Sequence, residues 1–301
     1  MNRSLFSLLA GLALLFSLPA RADLRVFACE PEWGALAQVL GGDAVQVFTA
    51  TTALQDPHHI QARPSLIARM RRADLLVCTG AELEIGWLPL LLRKAHNGRI
   101  QPGRPGHFLA ANQVRLRERP ARLDRAEGDI HPEGNPHIQT DPRNISRVAE
   151  ALAARMAEID PADAAGFARR LKAFQTDWQA AIARWEKRAR PLRGVAVVVH
   201  HRQWPYLLAW LGMRQVGELE PKPGLPPTAG HLAALKARLA VQPARLIIHA
   251  AYMDPQPARW LSRHAGIPEV TLPFTVGGTP AAKDLYGLFD DTIARLLGAL
   301  K

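Results

Sequence analysis

The sequence predicts an α/β protein of two lobes, each a parallel sheet flanked by helices, joined by one long rigid helix. Three observations predict it. Short apolar runs of strand length alternate with helical patterns over residues 24–95, and do so again over 194–300. Between them runs an unbroken helical periodicity from Pro161 to about Arg190, with Phe167, Leu171, Phe174, Trp178, Ile182 and Trp185 recurring at three- and four-residue intervals. Hydrophobic residues make up 48% of the chain without any low-complexity tract, enough for two sizeable cores. The division that follows is a leader at 1–22, a first lobe at 23–159, a linking helix at 160–190 and a second lobe at 191–301.

Taken in order, Leu24 to Ala28 reads as a strand, and Pro31 to Leu40 as a helix stopped by Gly41-Gly42. Val45 to Thr49 is a second strand, after which Ser65 caps a helix running to Arg72. Asp74 to Cys78 is a third strand, and Leu83 to Ala95 a helix bent or broken at Pro89. Residues 97–136 are rich in Gly, Pro and Arg and read as irregular connection. Asp141-Pro142 pairs a capping carboxylate with a proline at the first helical position, and that helix should run to Ile159. A linking helix near 30 residues would span roughly 45 Å, a rigid strut. In the second half, Gly194 to His200, Arg245 to His249 and Glu269 to Leu272 read as strands. Pro205 to Leu211, Thr228 to Leu239, Gln256 to His264 and Lys283 to Leu300 read as helices, and Pro221 to Pro227 as a proline-rich loop.

Arg3, the apolar run from Leu5 to Leu18 and the small-x-small triplet Ala20-Arg21-Ala22 form a signal-peptide pattern, with a mature chain expected to begin at Asp23. The apolar run is shorter than the roughly 20 residues of a spanning helix, which argues against an uncleaved anchor. Net charge is +11, but the arginines are spread over helices rather than gathered in a run, and export makes a nucleic-acid partner unexpected. Cys29 and Cys78 are the only cysteines. Each ends a strand-like run, so the two could meet as a disulfide on neighbouring strands in an oxidising compartment, with two buried thiols as the alternative. No CxxC spacing recommends either as a metal ligand.

The chemistry-bearing residues are histidines in three dispersed segments: Asp56-Pro57-His58-His59, Asn135-Pro136-His137 with Thr140-Asp141-Pro142, and Val199-His200-His201. A fourth segment, Lys283-Asp284-Leu285-Tyr286, adds a carboxylate. Imidazole nitrogen and carboxylate oxygen are zinc ligands. Ligands of open α/β sheets bind beyond the carboxyl ends of strands, where these histidines fall, so donors from both halves suggest one metal clamped between lobes. Neighbouring side chains in extended backbone point to opposite sides, so one member of each His-His pair should face the cleft. The remaining histidines read as surface or packed residues, except that His131 lies six positions before His137 and invites attention.

In Asp56-Pro57-His58 with Arg63-Pro64-Ser65, Ala73-Asp74-Leu75 with Thr79-Gly80-Ala81-Glu82-Leu83-Glu84, Asn135-Pro136-His137, His201-x-x-Trp204-x-Tyr206 and Glu220-Pro221-Lys222-Pro223-Gly224, the chain resembles the cluster A-I zinc and manganese substrate-binding proteins of bacterial ABC importers. The resemblance covers essentially the whole mature chain. It implies His58, His137 and His201 as ligands, choosing His58 over His59 and His201 over His200, and Asp284 as the fourth, with Asp290 and Asp291 as fallbacks. Two departures stand out. The His-rich acidic loop of many zinc members is replaced by a basic segment, 97–136, that holds only His107 and His131, so metal could arrive from a periplasmic chaperone instead. Leu272-Pro273-Phe274-Thr275-Val276-Gly277-Gly278 also stands where an Asp-containing stretch is commoner, which leaves the fourth ligand open.

What the resemblance implies is a monomeric periplasmic solute-binding protein, not an enzyme, with Zn2+ as its transported ligand and an inner-membrane ABC permease as its partner. Three imidazoles and one carboxylate favour zinc over manganese or iron. A secreted zinc hydrolase using Glu82 or Glu84 as base, or an adhesin on the same scaffold, are the rival readings.

Overall fold

The computed structural model describes residues 23–120 and 128–301, so the leader expected at 1–22 lies outside the described residues. Two four-stranded parallel sheets organise the chain. In the first, the order is β2-β1-β3-β4, with β1 at Leu24–Ala28, β2 at Val45–Thr49, β3 at Leu75–Cys78 and β4 at His107–Leu109. In the second, β5 at Ala196–Val199, β6 at Arg214–Glu218, β7 at Leu246–Ala250 and β8 at Glu269–Leu272 repeat that arrangement as β6-β5-β7-β8. The central strands β3, β5 and β7 are buried throughout and, apart from His249, apolar on both faces, as parallel strands under two helical layers must be.

Helices α1 (Pro31–Gly41), α2 (Pro64–Arg72), α3 (Leu88–Ala95) and α4 (Pro142–Ile159) each carry a proline in the first turn, where its missing N–H costs no hydrogen bond. Pro89 therefore starts α3 rather than breaking a longer helix. The residues before it form turns in which Ala81 and Glu82 take positive φ values of 49° and 63°. In the connection read as irregular, β4 and short 3₁₀ turns appear. Strand β6 also escapes the sequence reading, because its Arg-Gln-Val-Gly-Glu run is a half-exposed edge with no apolar pattern.

Helix α5 spans Ala164–Arg188, 25 residues, after a 3₁₀ turn at Pro161–Asp163 has taken up the start of the periodic segment. Its buried stripe of Phe167, Phe174, Trp178, Ile182 and Trp185 faces both halves. On one side Trp178 Nε1 donates to the Pro142 carbonyl of α4 at 2.8 Å, and Arg170 Nε to the Leu40 carbonyl of α1 at 2.7 Å. On the other side Trp178 meets Tyr286 edge-on at 4.9 Å between centroids, and Trp185 lies 5.1 Å from Phe289, both on the closing helix α9 (Leu285–Gly298). The core beneath these contacts is continuous: Val26, Trp33, Ile145, Trp178, Val197, Ile248 and Phe289 belong to one buried cluster. Separate clusters cover the outer face of each sheet, around Leu76 and Trp87 under α2 and α3, and around Val198 and Ile247 under α7 (Ala229–Leu239) and α8 (Gln256–Ala265). The remaining helix, α6 at Pro205–Leu211, packs into the central core.

Cys29 and Cys78, one residue beyond the Ala28–Val77 pair of β1 and β3, form a disulfide with Cα atoms 4.8 Å apart. Among the described residues no helix is long and apolar enough to cross a membrane.

Candidate metal centre

Three of the histidines expected to act as ligands are brought to one place by three different kinds of local structure. The loop after β2 turns at Asp56, whose Oδ1 accepts the His58 backbone N–H at 3.0 Å and pairs with His58 Nδ1 at 2.7 Å. That Asp-x-His turn fixes the ring and leaves Nε2 as its free donor. The preceding carbonyl, of Pro57, is held by Trp87 Nε1 at 2.8 Å. His137 enters from the segment before α4. Asn135 Oδ1 accepts its backbone N–H at 3.1 Å, and Thr140 Oγ1 donates to its carbonyl at 2.9 Å. His201 follows β5, and its Nδ1 lies 2.7 Å from Glu220 Oε2 in the segment after β6.

The ring centroids stand 5.4 Å apart for His58 and His137, 6.0 Å for His58 and His201, and 5.9 Å for His137 and His201. A fourth ring joins them. His131 lies 5.4 Å from His58 and 6.1 Å from His137, with its Nε2 3.4 Å from His58 Nε2 and its Nδ1 3.1 Å from the Ala81 carbonyl. Single nitrogens of His58, His131 and His137 fall within 4.8 Å of one another, as donors to one ion would. Spacing marked His131 for attention, but only the fold shows it meeting His58 from 73 residues away.

The expected fourth ligand does not come to the cluster. Asp284 is exposed and caps α9, accepting the Gly287 N–H at 2.8 Å through Oδ1. A carboxylate immediately before a helix is explained by the helix itself. The fallbacks are also committed elsewhere: Asp290 to Trp185 and Arg188, and Asp291 to Thr279 and Arg295. The stretch that replaces the commoner Asp-containing one places Phe274 against His137, edge-on at 5.4 Å. Of the neighbours in each pair, His59 is exposed and His200 is buried.

The electrostatics suit a cation that strips protons from nitrogen. Burial first, and then the charge of His58, hold the His131 imidazole down at about 4. The same two causes, with His201 and His131 added, put His137 well below the ordinary histidine range. Neutral imidazoles with lone pairs turned inward are the form in which histidine ligates. Among the described residues His137 Nδ1 is buried without a hydrogen-bond partner, so this ring, unlike the other three, has no acceptor behind it there. An open cleft of about 480 Å³, bordered by Asp129, Lys222 and Pro223, leads from solvent to His131, His137 and His201. Glu84, considered above as a general base, is buried and accepts the Thr79 and Gly80 backbone N–H groups.

Comparison with known proteins bears on this geometry. A family model described as the periplasmic zinc-uptake complex component A (ZnuA) matches residues 26–299. The chain is 25% identical over 274 residues, 80% of each chain, to a protein of Paracoccus denitrificans named high-affinity zinc uptake system protein ZnuA. It is 22% identical over 255 residues, 76% of each chain, to the protein of that name in Yersinia pestis. Among solved structures, a crystal structure of ZnuA superposes with a TM-score of 0.76 at 19% identity, over 93% of this chain and 100% of that one, which is a likeness of fold.

Proposed function

Because the chain belongs to the family of the periplasmic zinc-uptake component A, we propose that it captures a zinc ion between its lobes and delivers it to an ABC permease. The observation that carries this reading is the convergence of His58, His131, His137 and His201, from both halves of the chain, on one water-accessible point. Four nitrogen donors with no carboxylate among them favour zinc over manganese, which prefers oxygen. Carboxylates behind His58 and His201 strengthen those ligands by fixing the tautomer that presents Nε2. With His201 as a fourth protein ligand beside the three that lie within 4.8 Å of one another, no position is left for an activated water, and on this reading the ion is cargo and the protein a carrier rather than a catalyst.

Export through a cleaved leader at 1–22, a monomeric state and the lobe limits at 159 and 191 complete the reading. Delivery of zinc by a chaperone accords with the lack of a His-rich scavenging loop. The test is competitive titration of metal-free protein against a zinc chelator, repeated with manganese. Zinc should bind much the tighter, with one ion per chain. Zinc binding that survives both His58→Ala and His137→Ala undiminished would refute the assignment.

A further inference from the structure

The segment carrying His131 has two backbone bonds of its own, Ile130 N to the Gly128 carbonyl at 2.9 Å and Gly134 N to the His131 carbonyl at 3.1 Å, and its ring meets Ala81 of the first lobe, but its leading end rests on the second lobe. Asp129 N donates to the Pro223 carbonyl at 3.0 Å. The two backbones meet through a pair of glycines. A Cβ added at Gly128 (φ +91°) would stand 2.1 Å from the Pro223 carbonyl oxygen, and one at Gly224 (φ +78°) 2.2 Å from Asp129 Oδ2. No real Cβ tolerates such a distance, so this close approach needs glycine at 128, where the opposing atom is backbone and cannot swing aside. Gly224 opposes a flexible carboxylate and is the more forgiving of the two.

The surface on which the segment rests is itself tied to the site. Glu220 Oε2 accepts from the Gly224 backbone N–H at 2.9 Å while it pairs with His201 Nδ1 at 2.7 Å. One carboxylate oxygen therefore orients a cleft histidine and pins the far end of the Glu220–Gly224 loop, on which the His131 segment lies. We propose that the Glu220–Gly224 loop is a shelf positioning His131, so that Glu220 governs two ligands although it touches only His201. This rests on the reading of His131 as a zinc ligand given above. Glu220, Gly224 and Gly128 are thus positioning residues, acting through the rings they seat.

The test uses the full mature chain. Gly128→Ala should weaken zinc binding about tenfold, the lower range for loss of a group that orients a ligand. In a His131→Ala background the same change should cost less than twofold, because the ligand it positions is gone. Glu220→Gln should give a loss in both backgrounds, smaller in the second, since its hold on His201 persists there. Gly266→Ala, at φ +66° with open space around it, controls for backbone strain alone and should leave zinc affinity unchanged. A readout without metal accompanies these: the Asp129 amide should exchange slowly in the zinc-free protein, and faster in Gly128→Ala and in Glu220→Gln. Equal losses from Gly128→Ala with and without His131, or no loss at all, would overturn the shelf. Failure of the zinc reading itself would instead show in His58→Ala and His137→Ala. If Gly128→Ala proves unstable, Gly224→Ala and Glu220→Gln carry the same comparison.

Discussion

What stands behind each clustered imidazole differs: a carboxylate for His58 and for His201, a carbonyl for His131, and, among the described residues, no acceptor for His137. That difference should be measurable one side chain at a time. His58→Ala, His137→Ala and His201→Ala should each lower zinc affinity by more than a hundredfold, and His131→Ala by less, since its segment is only partly buried and a carbonyl rather than a carboxylate stands behind its ring. His59→Ala and Asp284→Ala should stay within twofold in the same competition assay. A second residue-scale expectation concerns Glu32 of α1, which is buried and accepts a hydrogen bond from Thr275 of the other lobe. Burial raises its carboxyl from 4.5 to about 7. Between those values the folded protein holds a proton that the unfolded chain has released, so stability falls as pH rises through the window and is lowest above it. At about 1.4 kcal/mol per unit, the full effect is on the order of 3 kcal/mol. His131 and His200, both held near 4 chiefly by burial, act in the opposite sense, gaining stability as pH rises towards 6.5. The informative quantity is thus the difference between Glu32→Gln and wild type in urea unfolding. It should move in favour of the variant between pH 5 and pH 8, and a constant difference would remove Glu32 from the account.

At the scale of elements, what was legible depended on whether the determining contacts were local. The inner strands β1, β3, β5 and β7 announce themselves because burial on both faces demands continuous apolar runs. Of the edge strands, β2 and β8 carry enough apolar residues to be read, whereas β4 is only three residues long and β6, Arg-Gln-Val-Gly-Glu, has no apolar pattern. Prolines and capping residues fixed most helix starts; Asp284, read as a ligand candidate, stands at such a start, where its Oδ1 accepts the Gly287 N–H. His58, His137 and His201 could be picked out from motifs, whereas the His131–His58 contact depends on how a basic segment drapes across the cleft. The disulfide at the carboxyl ends of β1 and β3 is an element-scale expectation that the fold supports. Protein taken from an oxidising compartment should yield no titratable thiol when denatured without reductant. Cys78→Ser should cost about 2–4 kcal/mol, because the bridge closes a 49-residue separation in the unfolded chain.

For the whole molecule, the consequence of α5 is stiffness. A 25-residue helix whose aromatic stripe is packed on α4 and α1 from one lobe and on α9 from the other leaves no crossover about which the halves can swing. Metal-free and zinc-loaded protein should therefore give nearly equal radii of gyration in small-angle scattering. A contraction of several ångströms on adding zinc would mean that α5 is not the rigid member.

The placement of α9 ties together parts of the chain that lie far apart in sequence. Residues 285–298 and residues 31–41 bury side chains in one continuous cluster, together with strands of both sheets. The inner core is therefore shared property, and the two lobes should lose their structure together rather than one after the other.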